Sequence, residues 1–298
     1  VGDPAARFSE DALRMLRALR FAARLSFRID GETAAAIHAA RTRLRAVAPE
    51  RLHKELSGIL CGRQAAALLE EFSDVLFELI PELAPCQGFR QYNPHHARDV
   101  WTHTLAVVDG VPPEEPLRLA ALLHDAGKPA TFFFDKNLVG HFYGHPAAGA
   151  AVTEEVLRRL RYDRATAEFV TQLVAVHDRP IPDDLRGMRR MLARLGAPFC
   201  RALILLRCAD AIGTGTADAA EQTARCEAAL SLLAQAEKGC SSVSALAVSG
   251  RDLLALGMTP GPAVGAVLRR LLDAVLDGSV PNDRASLLKL ASEIGNNA

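Results

Sequence analysis

The stretch Pro116–Pro129, PLRLAALLHDAGKP, constrains the chain more than any other. Leu117, Leu119, Leu122 and Leu123 recur at the spacing of a buried helix face. Pro116 is suited to open that helix, and Gly127 with Pro129 to close it. The adjacent pair His124-Asp125 then rides the inner end of an apolar helix. An imidazole or a carboxylate buried without a partner is strongly unfavourable, so the pair demands one. Taken alone, such a dipeptide is most simply explained by a histidine bonded to a backbone carbonyl and an aspartate that caps or pairs with Lys128. A metal ion is the partner that would satisfy both side chains together.

The rest of the 298 residues supports a helical protein. Hydrophobic residues reach 49% while aromatics are only 5%, and Ala, Leu and Arg are abundant, which favours helices over sheets. This length suits roughly two domains or a series of helical modules. Formal charge is zero, which disfavours a uniformly basic nucleic-acid binder, yet residues 1–55 carry eleven Lys or Arg against seven Asp or Glu. A local basic face of this kind can hold phosphates. The six cysteines show no C-x-x-C spacing, which predicts a reduced, cytoplasmic protein. No apolar run is long enough to span a membrane, no signal peptide is visible, and no repeat appears. The chain starts without Met on the approach to a helix, which predicts a fragment of something longer.

Two further positions give the His-Asp pair its context. His103, in Val100-Trp101-Thr102-His103, falls on another amphipathic stretch, and Asp210 lies among Leu203, Leu205 and Leu206. This H…HD…D order, with its LLHDAGKP setting, resembles the HD-domain metal-dependent phosphohydrolases. The resemblance implies that His103, His124, Asp125 and Asp210 ligate a divalent cation. It also brings in His145 and His177 as a pair for a second metal; that His145 caps its helix and His177 packs in the core is the equal alternative. His141 is a weaker candidate, and His95 and His96 are expected in a loop. Nitrogen and oxygen donors suit manganese, nickel, iron, zinc or magnesium. A cation held there would activate water toward a phosphorus atom, with Asp125 at the centre of the chemistry and Lys128 neutralising phosphoryl charge unless it is only a surface ion pair.

Near the start, Ser9 is expected to cap a first helix with Glu10 and Asp11 in its first turn. Leu13, Leu16 and Leu19 form its apolar side, and Arg14, Arg17, Arg20 and Arg24 a basic ridge whose simplest use is solvation. Asp11 and Arg14, three apart, would be neighbours, and a carboxylate beside a guanidinium can complement a base edge. The segment Arg7-Phe8-Ser9-Glu10-Asp11 through Arg14 closely resembles the R-F-x-E-D-x-x-R segment of the class II CCA-adding tRNA nucleotidyltransferases and the related bacterial poly(A) polymerases. That resemblance implies that Asp11 and Arg14 select the incoming CTP or ATP, with Arg7 and Arg17 in support, and that tRNA is the partner. The family's catalytic head carries a D-x-D pair that holds magnesium, and no two Asp residues here stand two apart. The expectation is therefore a chain that lacks the head and does not itself add nucleotides.

Elsewhere, helices are expected at 32–45, 50–60, 72–83, 146–160, 165–176, 185–195, 198–212 and 218–237, and one small hairpin within Thr131–Tyr143. In the tail, Gly261 and Pro262 predict a turn between two helices that could aim backbone N–H groups at phosphate, with Arg269 and Arg270 beyond it, and Asn282 is expected to cap the last helix. The predicted architecture is all-α and elongated. It comprises a neck and body at 1–97, an HD helical bundle at 98–215 and a helical tail at 216–298. The expected function is the C-terminal part of a tRNA nucleotidyltransferase or poly(A) polymerase, with an HD centre hydrolysing phosphomonoester or 2′,3′-cyclic phosphate ends. A freestanding HD nucleotidase and a non-catalytic RNA-binding scaffold are the alternatives, and oligomeric state is left open.

Overall fold

The computed structural model describes residues 2–94, 96–216 and 218–295; His95 lies outside them. Among these residues the regular structure is helical except for one two-stranded hairpin, as the low aromatic and high Ala/Leu content predicts. The chain forms two compact units, 1–179 with 205–224 and 180–204 with 225–298.

The first unit opens with α1 (Pro4–Glu10), α2 (Leu13–Leu25), α3 (Gly31–Ala40), α4 (Pro49–Leu60), α5 (Ala65–Glu71) and α6 (Ser73–Leu79). The first helix departs from expectation. Pro4 and Asp3 open it, so Ser9 lies inside α1, with its hydroxyl donating to the Ala6 carbonyl, and caps nothing. The helix stops at Glu10 because Asp11 takes an extended conformation and its carboxylate accepts from the Leu13 N–H, an arrangement that competes with continued helix. The basic ridge thus starts on α2, while Arg7 belongs to α1. Leu13, Leu16 and Leu19 are buried as expected, and α2 packs on α4. The helix expected over 32–45 ends at Ala40 and continues as a 3₁₀ turn, Arg41–Ala46.

Next come α7 (Val100–Gly110), α8 (Glu115–Leu123), α9 (Lys128–Thr131), the strands β1 (Phe133–Phe134) and β2 (Gly140–His141), α10 (His145–Arg159) and α11 (Arg164–Val176). Pro116 does open α8, but Gly127 and Pro129 do not close it. α8 ends at Leu123, and those two residues start the single turn of α9, which a rigid φ at Pro129 favours. A side chain at Gly127 would fall on the His145 carbonyl and the Gly149 N–H, so only glycine lets α9 start this close to α10. α8 packs on α7 and α11, and α10 on α11, around Leu119, Leu122, Leu123, Val156, Leu157, Val170 and Leu173.

α12 (Leu185–Leu195) and the start of α13 (Ala197–Gly213) lie in the second unit, and α13 ends in the first. α14 (Ala219–Glu237) starts in the first unit and ends in the second, which continues with α15 (Gly250–Ala255), α16 (Pro262–Leu276) and α17 (Arg284–Gly295). Leu246, Val248, Leu253, Val267, Leu271 and Leu287 form its core. Asn282 is not the cap of α17: its side chain bridges the Ala247 N–H and the Ala245 carbonyl, and Asp283 accepts from the Ser286 N–H instead. Arg190, half-exposed, pairs with Asp277 at 2.6 Å.

A candidate metal centre

Six of the residues singled out from sequence converge in the first unit because each sits where a helix begins, ends or turns inward. His103 projects from the buried face of α7. His124 terminates α8, and Asp125 follows it. His145 is the first residue of α10, His177 terminates α11, and Asp210 lies on the last turn of α13. His103, His124, Asp125 and His177 are at most 2% exposed.

Asp125 joins two groups. Its Oδ2 lies 3.2 Å from His124 Nε2 and 3.4 Å from His103 Nε2, and Asp210 Oδ1 lies 3.1 Å from His103 Nε2. Its Oδ1 faces the other way, 3.6 Å from His145 Nε2 and 3.9 Å from His177 Nε2. The sets His103–His124–Asp125 and Asp125–His145–His177 each bring three possible ligand atoms within 4.8 Å of one another.

The hydrogen bonds around the rings define their chemistry. His124, His145 and His177 turn Nδ1 toward the carbonyls of Ala121, Phe142 and Val174, at 2.8, 2.9 and 2.7 Å. A carbonyl only accepts, so each Nδ1 carries the proton and, in the neutral ring, each Nε2 presents a lone pair. His145 Nε2 and His177 Nε2 face each other at 3.3 Å, and His103 Nε2 and His124 Nε2 at 3.2 Å. The facing lone pairs of His145 and His177 beside the buried Asp125 carboxylate suit a cation, and the donor set fits a divalent one. His124 thus makes the carbonyl bond expected of an ordinary core histidine, and that bond leaves Nε2 turned to the centre.

Lys128 is buried, not a surface charge. It is 5% exposed, with Nζ 2.7 Å from Asp125 Oδ2 and 2.8 Å from Gln91 Oε1, above the Phe142 ring. Burial opposes ionisation of Asp125, but His124 and Lys128 outweigh it and hold the carboxyl well below its usual range. For Asp210, burial is likewise overcome by the hydrogen bond from His103, and its pKa is lowered. Burial disfavours charge on His124 too, yet Asp125 and Asp210 raise its pKa. His145 and His177 are depressed by burial, His177 to about 4, which favours the neutral, ligating form.

Three contributors were not singled out by sequence as parts of the site. Gln91 holds Lys128, and Arg207 pairs with Asp210 at 2.8 Å. His96, expected as a bystander in a loop, sets its ring edge-to-face on His103 with its pKa pushed down by burial to about 4. Only Arg207 left a signal, its i, i+3 spacing from Asp210. His141 is occupied elsewhere, pairing with Asp135 in the hairpin.

The N-terminal candidates lie close together, and the Arg14 guanidinium donates to the Arg7 carbonyl at 3.3 Å, but no ion pair joins Asp11 to Arg14. Asp11 pairs with Arg51 at 3.2 Å, Arg14 and Arg7 share Glu10 at 2.6 and 3.1 Å, and Arg17 lies 3.5 Å from the buried Glu55. Partial burial works against the Asp11 carboxylate, but the Leu13 N–H and Arg51 prevail and its pKa is lowered. In the second unit, Arg270 lines a cleft of about 670 Å³ with Met258 and Thr259, while Gly261 precedes α16.

Residues 148–291 match the family model described as tRNA nucleotidyltransferase domain 2, and residues 26–86 match one described as an RNA- and SrmB-binding site of polymerase A. The chain is 35% identical over 289 residues to the CC-adding tRNA nucleotidyltransferase of Thermus thermophilus, covering 91% of this chain and 64% of the relative. It is 34% identical over 286 residues to the A-adding tRNA nucleotidyltransferase of Deinococcus radiodurans, covering 91% and 65%. The chain therefore spans just under two thirds of the length of these curated relatives. Its fold is similar to that of the Bacillus stearothermophilus CCA-adding enzyme in complex with CTP, with a TM-score of 0.62 at 21% identity over 99% of this chain and 65% of that one. His103, His124, Asp125, Lys128 and His145 fall between the two matched family regions.

Proposed function

Because this chain is homologous to the CCA-adding tRNA nucleotidyltransferases, we propose that it acts in tRNA 3′-end maturation and carries a metal-dependent phosphohydrolase centre for RNA ends. The observation that carries the second half is the sharing of Asp125 between two three-ligand groups, with three histidines fixed by backbone carbonyls. His103, His124 and Asp125, with Asp210, would hold one divalent cation, and Asp125, His145 and His177 a second. Bound there, such cations supply Lewis acidity and lower the pKa of coordinated water. Lys128 keeps Asp125 anionic and offers positive charge to phosphoryl oxygens. Hydrolysis adds water across one P–O bond of a 2′,3′-cyclic phosphate, leaving a phosphomonoester and a free hydroxyl.

The partners proposed for the first half are tRNA, CTP and ATP. Asp11 and Arg14, supported by Arg7 and Arg17, would read the nucleotide's base edge, exchanging Arg51 and Glu10 for the ligand. The two curated relatives have nearly equal identity but are named for adding different nucleotides. Discrimination between C and A is therefore proposed to reside in this local segment rather than in overall similarity. The match at 26–86 favours, as a second reading, a poly(A) polymerase part.

The test combines metal analysis, hydrolysis of 2′,3′-cyclic AMP across manganese, nickel, iron, zinc and magnesium, and tRNA binding over a salt series, with Asp125→Ala as control. Metal-dependent turnover lost in the variant, together with salt-sensitive tRNA binding, is expected. Turnover without tRNA affinity would support a freestanding nucleotidase instead. Absence of both metal and turnover, with tRNA still bound, would support a scaffold. Preference for a poly(A) homopolymer over tRNA would favour the polymerase reading.

A further inference from the structure

The sequence is poor in aromatic residues, with 12 Phe, three Tyr and one Trp, yet Phe132, Phe133, Phe134, Phe142 and Tyr143 crowd into one short segment. Antiparallel pairing explains how they are divided. Phe133 pairs with His141 and Phe134 with Gly140, and alternation along each strand separates two sets of rings.

One set is anchored to the centre. Phe132, Phe134 and Phe142 pack with Phe89 and Tyr92, Phe142 lies under Lys128, and Gln91 connects this packing to Lys128 Nζ. Gly140 is fixed against the same loop: its N–H donates to the Tyr92 carbonyl at 2.7 Å, and a side chain there would fall on the Gln91 carbonyl.

The other set is presented outward. Phe133 and Tyr143 each lie near the His141 ring, at 5.5 and 5.3 Å between centroids, inclined by 28° and 25°. Asp135 fixes the imidazole at 3.3 Å and spends its other oxygen on the N–H groups of Asn137 and Val139. Phe133 is 42% and Tyr143 75% exposed; Phe134 is 45% exposed as well, so the two sets differ in what they pack against, Phe89 and Tyr92 or His141. One residue, Gly144 at φ +84°, separates Tyr143 from His145, so the exposed rings are joined directly to a candidate ligand.

Phe133, His141 and Tyr143 cluster with centroids 5.3–5.5 Å apart, Phe133 and Tyr143 inclined by 49° to one another, so either exposed ring can offer a face to a nucleobase one residue away from His145. A base stacks on an aromatic face whatever its hydrogen-bonding edge, and such stacking is typical of single-stranded RNA recognition. We propose that Phe133, His141 and Tyr143 form a stacking platform for the base of the nucleotide whose phosphate enters the metal centre. This rests on the phosphohydrolase reading and adds a substrate class to it, RNA 3′ ends or nucleotides rather than base-free phosphoesters. The platform is sequence-tolerant, since stacking uses a face that every base has.

The test uses the full chain loaded with metal. Phe133→Ser and Tyr143→Ser are exposed changes, and each is expected to raise KM for 2′,3′-cyclic AMP about tenfold with kcat retained. Turnover of 1-O-methylribose 2,3-cyclic phosphate, which has no base, is expected to stay unchanged, and Tyr143→Trp to keep the nucleotide KM near that of the parent. Separately, Phe133→Trp places a fluorophore in the platform, and AMP is expected to quench it. Trp101, the other tryptophan, is buried against Phe77 and supplies the background in the parent chain.

Equal losses on both substrates would make the rings structural and overturn the platform. Unchanged KM with no quenching would overturn it too, as would serine variants that alter only the oligomeric mass in sedimentation, which would make the face a contact between copies. If no substrate turns over with any metal, the phosphohydrolase reading falls, and quenching by AMP then decides the platform alone: present, it stands as a nucleotide-binding surface; absent, it falls.

Discussion

The candidate metal centre and the Asp11–Arg14 segment both gather charged residues in the first unit, but under opposite dielectric conditions. At the centre, Asp125 and the rings of His103 and His124 are almost wholly buried, with His124 fixed by the Ala121 carbonyl and Asp125 by Lys128. In the N-terminal segment the charges are half-exposed, and each has found a neighbour of opposite sign: Arg51 for Asp11, Glu10 for Arg14. Burial makes unpaired charge costly and so enforces one arrangement ready for a cation. Exposure makes ion pairs worth little, so a ligand can exchange them at small cost. One region is preorganised; the other is exchangeable.

The largest expected effect is that of Asp125→Asn. Removing the carboxylate shared by the two groups should abolish both metal equivalents, read by elemental analysis, and lower 2′,3′-cyclic AMP turnover on the order of a thousandfold. Retention of one equivalent would mean that the groups are independent. Lys128→Met should leave the metal-free protein destabilised by about 3 kcal/mol in urea, because Asp125 loses its buried cationic partner, with much of that restored by added divalent metal. His177→Gln should remove a single equivalent and leave the His103 group loaded, which separates the two halves of the centre.

Acidification sharpens the contrast further. His177 and His96 have pKa values pushed down to about 4 from 6.5, so between those values the unfolded chain binds more protons. Their contribution is complete above pH 6.5 and is lost as pH falls toward 4. His124 is raised and acts in the opposite sense, its contribution fading as pH rises through its folded value. The metal-free protein should therefore lose on the order of 2 kcal/mol between pH 7 and 4.5 in chelator, monitored by urea unfolding. The smallest effects belong to the exchangeable region. Asp11→Ala should weaken CTP binding about tenfold, whereas Glu10→Gln, which releases Arg14, should strengthen it about twofold by calorimetry.

What could be read without coordinates follows the same division. His103, His124, Asp125 and Asp210 were singled out together by the resemblance of their order to the HD-domain phosphohydrolases, whereas the leucine spacing of α8 was legible because helical periodicity leaves a local pattern. The break at Asp11 was not, because an aspartate serves equally well in the first turn of a helix or as an acceptor between two helices, and only the Leu13 N–H and Arg51 decide. Gly127 and Pro129 posed the same ambiguity between ending one helix and starting another. Gln91 and His96 carried no signal, because their relation to Lys128 and His103 exists only across the fold.

By itself, then, the sequence determined a helical chain, a buried His-Asp pair that needs a partner, and a single aromatic-rich hairpin, since each depends on residues close together along the chain. Only the tertiary structure decided that Asp125 faces two histidine groups, that Lys128 is buried and that the hairpin's rings divide between a set packed on Phe89 and Tyr92 and a set gathered around His141. Those outcomes depend on contacts between residues tens of positions apart, and such contacts are selected by packing and desolvation rather than by local propensity.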